Sequence, residues 1–169
     1  MESLVAFLDI LGTKDLVKND QFSELHILDF VNPVGIAAND HPNLRFAVLS
    51  DSVIISAECN YVDEFIEALA FIYPNWFGDG INVRGGIAVG DIEWVDQPHT
   101  DKWFRNLNNL MYARVYGKAL IEAYEVEQKS GPGAICFVNE KASDLIYKIN
   151  SNYILEGATN ALIWADEGE

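Results

Sequence analysis

The sequence predicts an α+β fold: a mostly antiparallel sheet with helices packed on one face. Three observations predict it. Apolar runs of strand length, such as Leu4–Leu11 and Ser52–Ala57, border glycine or aspartate turns. Segments between them carry apolar residues at helical spacing. Hairpins interrupt the helix–strand alternation, which argues against a doubly wound parallel sheet. The chain has 169 residues, 50% of them hydrophobic. That suffices for one domain over 1–169 with a real core, and it is too apolar for disorder.

The elements follow in order. Leu4–Leu11, broken only by Asp9 and followed by Gly12, reads as a buried strand. Phe22, Leu25, Leu28 and Val31 keep helical spacing until Pro33 ends the pattern. Arg45–Leu49 and Ser52–Ala57 form hairpin arms around a Ser50-Asp51 turn. Tyr61–Phe77 reads as a helix with Phe65, Leu69, Ile72 and Trp76 on one face; Pro74 weakens its last turn and Gly78-Asp79-Gly80 stops it. Ile81–Val95 is strand that bends near Gly90-Asp91, and Asp96–Met111 is a polar loop. Gly117–Lys129 is a helix, Ser130–Gly133 a turn, Ala134–Val138 a strand and Lys141–Ile149 a short helix. Tyr153–Leu155 and Ala161–Ala165 close the chain as a hairpin around Gly157. The order β-α-β-β-α-β-α-β predicts a ferredoxin-like core with additions.

Composition excludes several functions. A formal net charge of −15 makes bare nucleic acid a poor partner, because phosphate binding needs a basic face. No apolar run approaches a membrane span, and the N-terminus lacks the basic region of a signal peptide, so a cytoplasmic location is expected. Cys59 and Cys136 form no CxxC motif and read as reduced thiols, not zinc ligands. His26, His41 and His99 share no ligating spacing. Trp76, Trp94, Trp103 and Trp164 read as core or interface residues, and Arg84 as a partner in a sheet-supporting salt bridge.

Asp9 and Asp51 stand out. Each sits where an apolar strand gives way to a turn. One such aspartate alone reads as a structural turn residue. Two brought together by strand pairing can hold a hard divalent cation, which prefers oxygen ligands.

The motifs Phe7-Leu8-Asp9-Ile10-Leu11-Gly12-Thr13, Ser50-Asp51, Val83-Arg84-Gly85-Gly86-Ile87-Ala88-Val89-Gly90-Asp91 and Val115-Tyr116-Gly117-Lys118-Ala119-Leu120 occur in this order. Over roughly residues 4–147 they resemble the class III nucleotide cyclase catalytic domain. The resemblance implies two Mn²⁺ or Mg²⁺ ions held by Asp9, Asp51 and the Ile10 carbonyl. It implies phosphate contacts from the amides of Leu11, Gly12 and Thr13. It also implies a homodimer with composite sites: one subunit gives Asp9 and Asp51, the other Arg114 and the helix start at Gly117 and Lys118. On that resemblance Asp9 and Asp51 are the expected catalytic pair for a nucleoside triphosphate substrate.

Four positions depart from the family pattern. Ala47 stands where purine cyclases carry a base-reading lysine, and Arg114 where they carry an acceptor. Arginine only donates, so it suits the carbonyl of uracil or cytosine better than the adenine amino group. Ile121 and Glu125 replace an asparagine and a charge-stabilising arginine; Lys118, Arg105 or Lys102 are candidate substitutes. These departures are similar to those of the bacterial antiphage pyrimidine cyclases of the Pycsar type. That branch implies conversion of UTP, or of CTP, to the 3′,5′-cyclic monophosphate as a defence signal. An inactive cyclase-like binding domain and a purine cyclase are the alternatives.

Overall fold

The computed structural model describes residues 2–20, 23–95, 114–155, 157 and 160–162. Its strands are β1 (Glu2–Ile10), β2 (Arg45–Leu49), β3 (Ser52–Glu58), β4 (Val83–Asp91), β5 (Glu93–Val95), β6 (Arg114–Tyr116), β7 (Cys136–Val138), β8 (Ile154–Leu155) and β9 (Asn160–Leu162). Its α-helices are α1 (Thr13–Lys18), α2 (Glu24–Asp40), α3 (Val62–Gly78), α4 (Lys118–Lys129) and α5 (Glu140–Ile149). Phe22, the segment 96–113 with His99, Lys102, Trp103 and Arg105, Trp164 and the end of the terminal hairpin lie outside the described residues.

Seven strands form one sheet in the order β2-β3-β1-β4-β7-β9-β8, and β5 pairs with β6 separately. Among the described residues, only the β4–β7 pairing is parallel. The order β2-β3-β1-β4, with β1 antiparallel to both neighbours, is the ferredoxin-like arrangement.

Side chains of β1 alternate between two cores, as the pleat requires. Leu4, Ala6, Leu8 and Ile10 face one core with residues of α2, α3 and α5. Val5 and Phe7 face a second, smaller core with Ala119 and Ala123 of α4. The helices therefore cover both faces rather than one. Glycine permits this: a Cβ at Gly86 of β4 would lie 2.0 Å from the Ala123 carbonyl oxygen, so α4 rests directly on strand backbone.

Pro33 does not end its helix. α2 runs through it, and Phe30, Pro33, Val34 and Ala37 form the buried stripe. Leu25 and Leu28, the expected face, are 67% and 47% exposed. A lost backbone bond costs about 3 kcal/mol in a helix interior. Here packing against α3 offsets it: Phe30 stacks on Trp76 at 4.9 Å, and the Trp76 indole donates to the Phe30 carbonyl at 2.8 Å. His26 also finds its role at this helix, accepting from the Ser23 amide at 3.2 Å as part of a capping box. α3 likewise continues past Pro74 to Gly78, with Phe65, Leu69, Ile72 and Trp76 buried as expected.

Candidate active site

Asp9 and Asp51 come together at one end of the sheet. β1 pairs with β3 so that Asp9 stands opposite Ser52, the residue after Asp51. The Ile10 amide donates to the Asp51 carbonyl at 3.0 Å and fastens the hairpin turn to the end of β1. Ser50 takes a left-handed conformation in that turn, φ 49°, which glycine would adopt more easily. Gly12 is also left-handed, φ 83°, and turns the chain from β1 into α1.

Alternation along β1 puts Asp9 on the α4 face, in line with Val5 and Phe7. Its carboxyl is raised above the ordinary value by burial first and by the Asp51 charge second; a hydrogen bond from the Ser52 hydroxyl, 3.2 Å to Oδ1, works the other way. Both aspartates are half-buried. The Asp9 carboxyl thus lies near a second negative charge, a situation that a divalent ion would relieve.

The other expected site residues fall into place unevenly. The Ile10 carbonyl accepts from the Thr13 hydroxyl at 3.2 Å, leaving its second lone pair for a cation. The Leu11 amide donates to the Asn82 carbonyl at 2.8 Å, so that amide is committed within the fold. Lys118 is exposed in the first turn of α4. Arg114 opens β6, paired through its backbone with Val95. Glu125 is exposed and joined to Lys129 at 2.8 Å, and Ile121 is 61% exposed. Among the described residues, no cluster of three or more Asp, Glu, His or Cys side chains could hold a metal. A cation at this corner would rest on two carboxylates and backbone oxygen.

Two clefts border β1, and neither is lined by Asp9 or Asp51. One, about 380 Å³, opens beside Gly12 and carries Asp15, His26 and Asn82 but neither lysine nor arginine. The other, about 340 Å³, is apolar, lined by Phe7, Leu49, Ile54, Leu120, Ile121 and Tyr124. Arg84 and Glu127 were the signal that sequence only half gave. Arg84 makes the expected salt bridge, but its partner, fully buried Glu127 on α4, was not foreseeable without knowing where α4 lands.

No family model matches the chain, and no curated protein matches it by sequence. Solved structures do match. A bacterial light-regulated adenylyl cyclase superposes with a TM-score of 0.64 at 14% identity, covering 98% of this chain and 92% of that one. The fold is that of nucleotide cyclase catalytic domains. The adenylyl cyclase CyaB from P. aeruginosa gives 0.65 at 12% identity, covering 98% and 95%. The guanylate cyclase domain of RhGC from Catenaria anguillulae, solved with GTP, gives 0.63 at 12%, covering 95% and 92%. No helix among the described residues is long and apolar enough to cross a membrane.

Proposed function

We propose that this chain is a nucleotide cyclase that closes a nucleoside triphosphate to its 3′,5′-cyclic monophosphate and releases pyrophosphate. The observation that carries the reading is the juxtaposition of Asp9 and Asp51 at the sheet end of a cyclase-type fold. Asp9, Asp51 and the Ile10 carbonyl would hold two divalent cations, Mn²⁺ or Mg²⁺. The donor set fits, since all three groups offer the oxygen that hard cations take. Bound there, the ions would acidify the attacking hydroxyl and screen the phosphates.

This chain's residues then bind and orient. The amides of Gly12 and Thr13 would receive phosphate oxygens, in a corner whose lining offers no lysine or arginine of its own. Asp9 and Asp51 would keep the triphosphate at the strand ends. The ribose 3′ oxygen bonds to the α-phosphorus as the bond to pyrophosphate breaks, and the hydroxyl proton is released. The complementary half-site would come from a second copy, through Arg114 and Lys118. The apolar cleft walled by exposed Leu49, Ile121 and Tyr124 supports such a homodimer, because it lies on the same sheet face as Asp9.

The proposed substrate is a pyrimidine triphosphate, UTP before CTP, with the product an antiphage signal. Ala47 lies on the α4 face of the sheet and has no group to read a purine edge. Arg114 would donate to a pyrimidine carbonyl. One observation favours a second reading, an inactive cyclase-like domain: α4 presents exposed Ile121 and a Glu125 already paired with Lys129, so neither supplies transition-state charge. A purine cyclase is the third reading, since the matched structures are adenylyl and guanylyl cyclases.

One assay separates them. The purified chain is incubated with each of the four nucleoside triphosphates and Mn²⁺, and products are resolved by chromatography. Cyclic UMP is the expected product, and Asp51→Ala should abolish it without lowering the melting temperature. Cyclic AMP or cyclic GMP would establish the purine reading. No product from any nucleotide would establish the inactive one.

A further inference from the structure

Arg84 and Asp9 are direct partners across β1 and β4, on one face of the sheet. Opposite charges in that position ordinarily attract each other. Here they do not pair. The Arg84 Nε donates to Glu127 Oε1 at 2.6 Å, and its Nη1 reaches the Gly131 carbonyl at 3.5 Å. Asp9 takes the Ser52 hydroxyl instead.

Glu127 is fully buried, an expensive place for a carboxylate unless it is paired. Its position follows from the landing of α4 on Gly86, where a Cβ would come within 2.5 Å of the Glu127 amide nitrogen. The Gln128 amide satisfies its other oxygen. Burial of Glu127, the short ion pair and the glycine seat for the helix hold the Arg84 guanidinium against α4.

We propose that Glu127 is a positioning residue for the cation site: by holding the Arg84 guanidinium it keeps that cation off Asp9. The inference rests on the reading of Asp9 and Asp51 as cation ligands. Without Glu127, Arg84 would pair across the strands with Asp9, and a divalent ion would have to break that contact to bind. A charge-assisted contact of this kind weakens ion binding about tenfold or more.

The test is Mn²⁺ titration of the nucleotide-free protein, following free Mn²⁺ by electron paramagnetic resonance. Glu127→Gln should weaken binding by about tenfold, and adding Arg84→Met should return it to the wild-type value. A merely structural role for Glu127 would not be rescued by removing its partner. Glu127→Asp keeps the buried charge but shortens its reach; it should fall between wild type and Glu127→Gln, and it carries the test if the latter does not fold. The proposal is overturned if the Glu127 variants bind Mn²⁺ like wild type, or if the double variant stays as weak as Glu127→Gln. Absence of Mn²⁺ binding by the wild-type protein would instead remove the cation site itself, and this role with it.

Discussion

Asp9 is costly to the fold in the absence of a cation. Burial and the neighbouring Asp51 raise its carboxyl above the value of 3.8 that it has in an unfolded chain. The folded protein therefore holds the proton more tightly than the unfolded one. The stability Asp9 permits is fully present below 3.8 and declines as pH rises through the folded-state value. At neutral pH the ionised group destabilises. Asp9→Asn is expected to raise the melting temperature at pH 7, with the gain vanishing in acid; a lower melting temperature at pH 7 would contradict the assignment. Mn²⁺ should protect the wild type but not this variant. At a hundred times its dissociation constant an ion adds about 2.7 kcal/mol to stability, which differential scanning calorimetry resolves. The two aspartates were legible in the sequence because a carboxylate at the end of an apolar strand is conspicuous. The commitment of the Leu11 amide to Asn82 was not, because that bond spans elements distant in the chain.

Helix α4 shows what a strand pattern conceals. Gly85-Gly86-Ile87-Ala88-Val89-Gly90 reads as strand, and β4 is one. The sequence does not reveal that Gly86 is the seat of a helix. Gly86→Ala would place a methyl 2.0 Å from the Ala123 carbonyl oxygen, so α4 must lift from β4. Overpacking of this kind costs about 1–3 kcal/mol or more, read as a lower urea midpoint. It should also loosen the Arg84–Glu127 pair, so Mn²⁺ binding is expected to weaken with stability. The α2 pattern failed for a related reason. Apolar residues at Leu25 and Leu28 satisfy helical spacing, but the stripe through Phe30, Val34 and Ala37 is the one that meets α3. Spacing alone does not say which of two stripes has a partner, nor that buried contacts will carry a helix through proline.

At the scale of the whole molecule, one sheet separates two cores of unequal size. The larger joins α2, α3 and α5; the smaller, beneath α4, ends in exposed apolar side chains. Leu49, Ile121 and Tyr124 are 38%, 61% and 48% exposed and line one apolar cleft with Phe7 of β1. Sedimentation velocity at tens of micromolar should show a dimer, and Ile121→Asp should shift it toward monomer with loss of activity. A monomer that turns over nucleotide at full rate would sink the composite site. Arg114 bears on the same question: Arg114→Ala should lower UTP turnover at least about tenfold, the loss expected for a charged hydrogen bond.

The sequence by itself determined the class of fold, the hairpin around Ser50-Asp51, most of the strands and the two acids, because these depend on local periodicity and turn chemistry. The tertiary structure decided what depends on approach between distant segments: that α4 covers the second face, that α2 buries its Phe30 stripe, and that Arg84 turns to Glu127 instead of Asp9. Charge pairing and core contact are set by where elements meet. A residue's own neighbours in the chain carry no record of that.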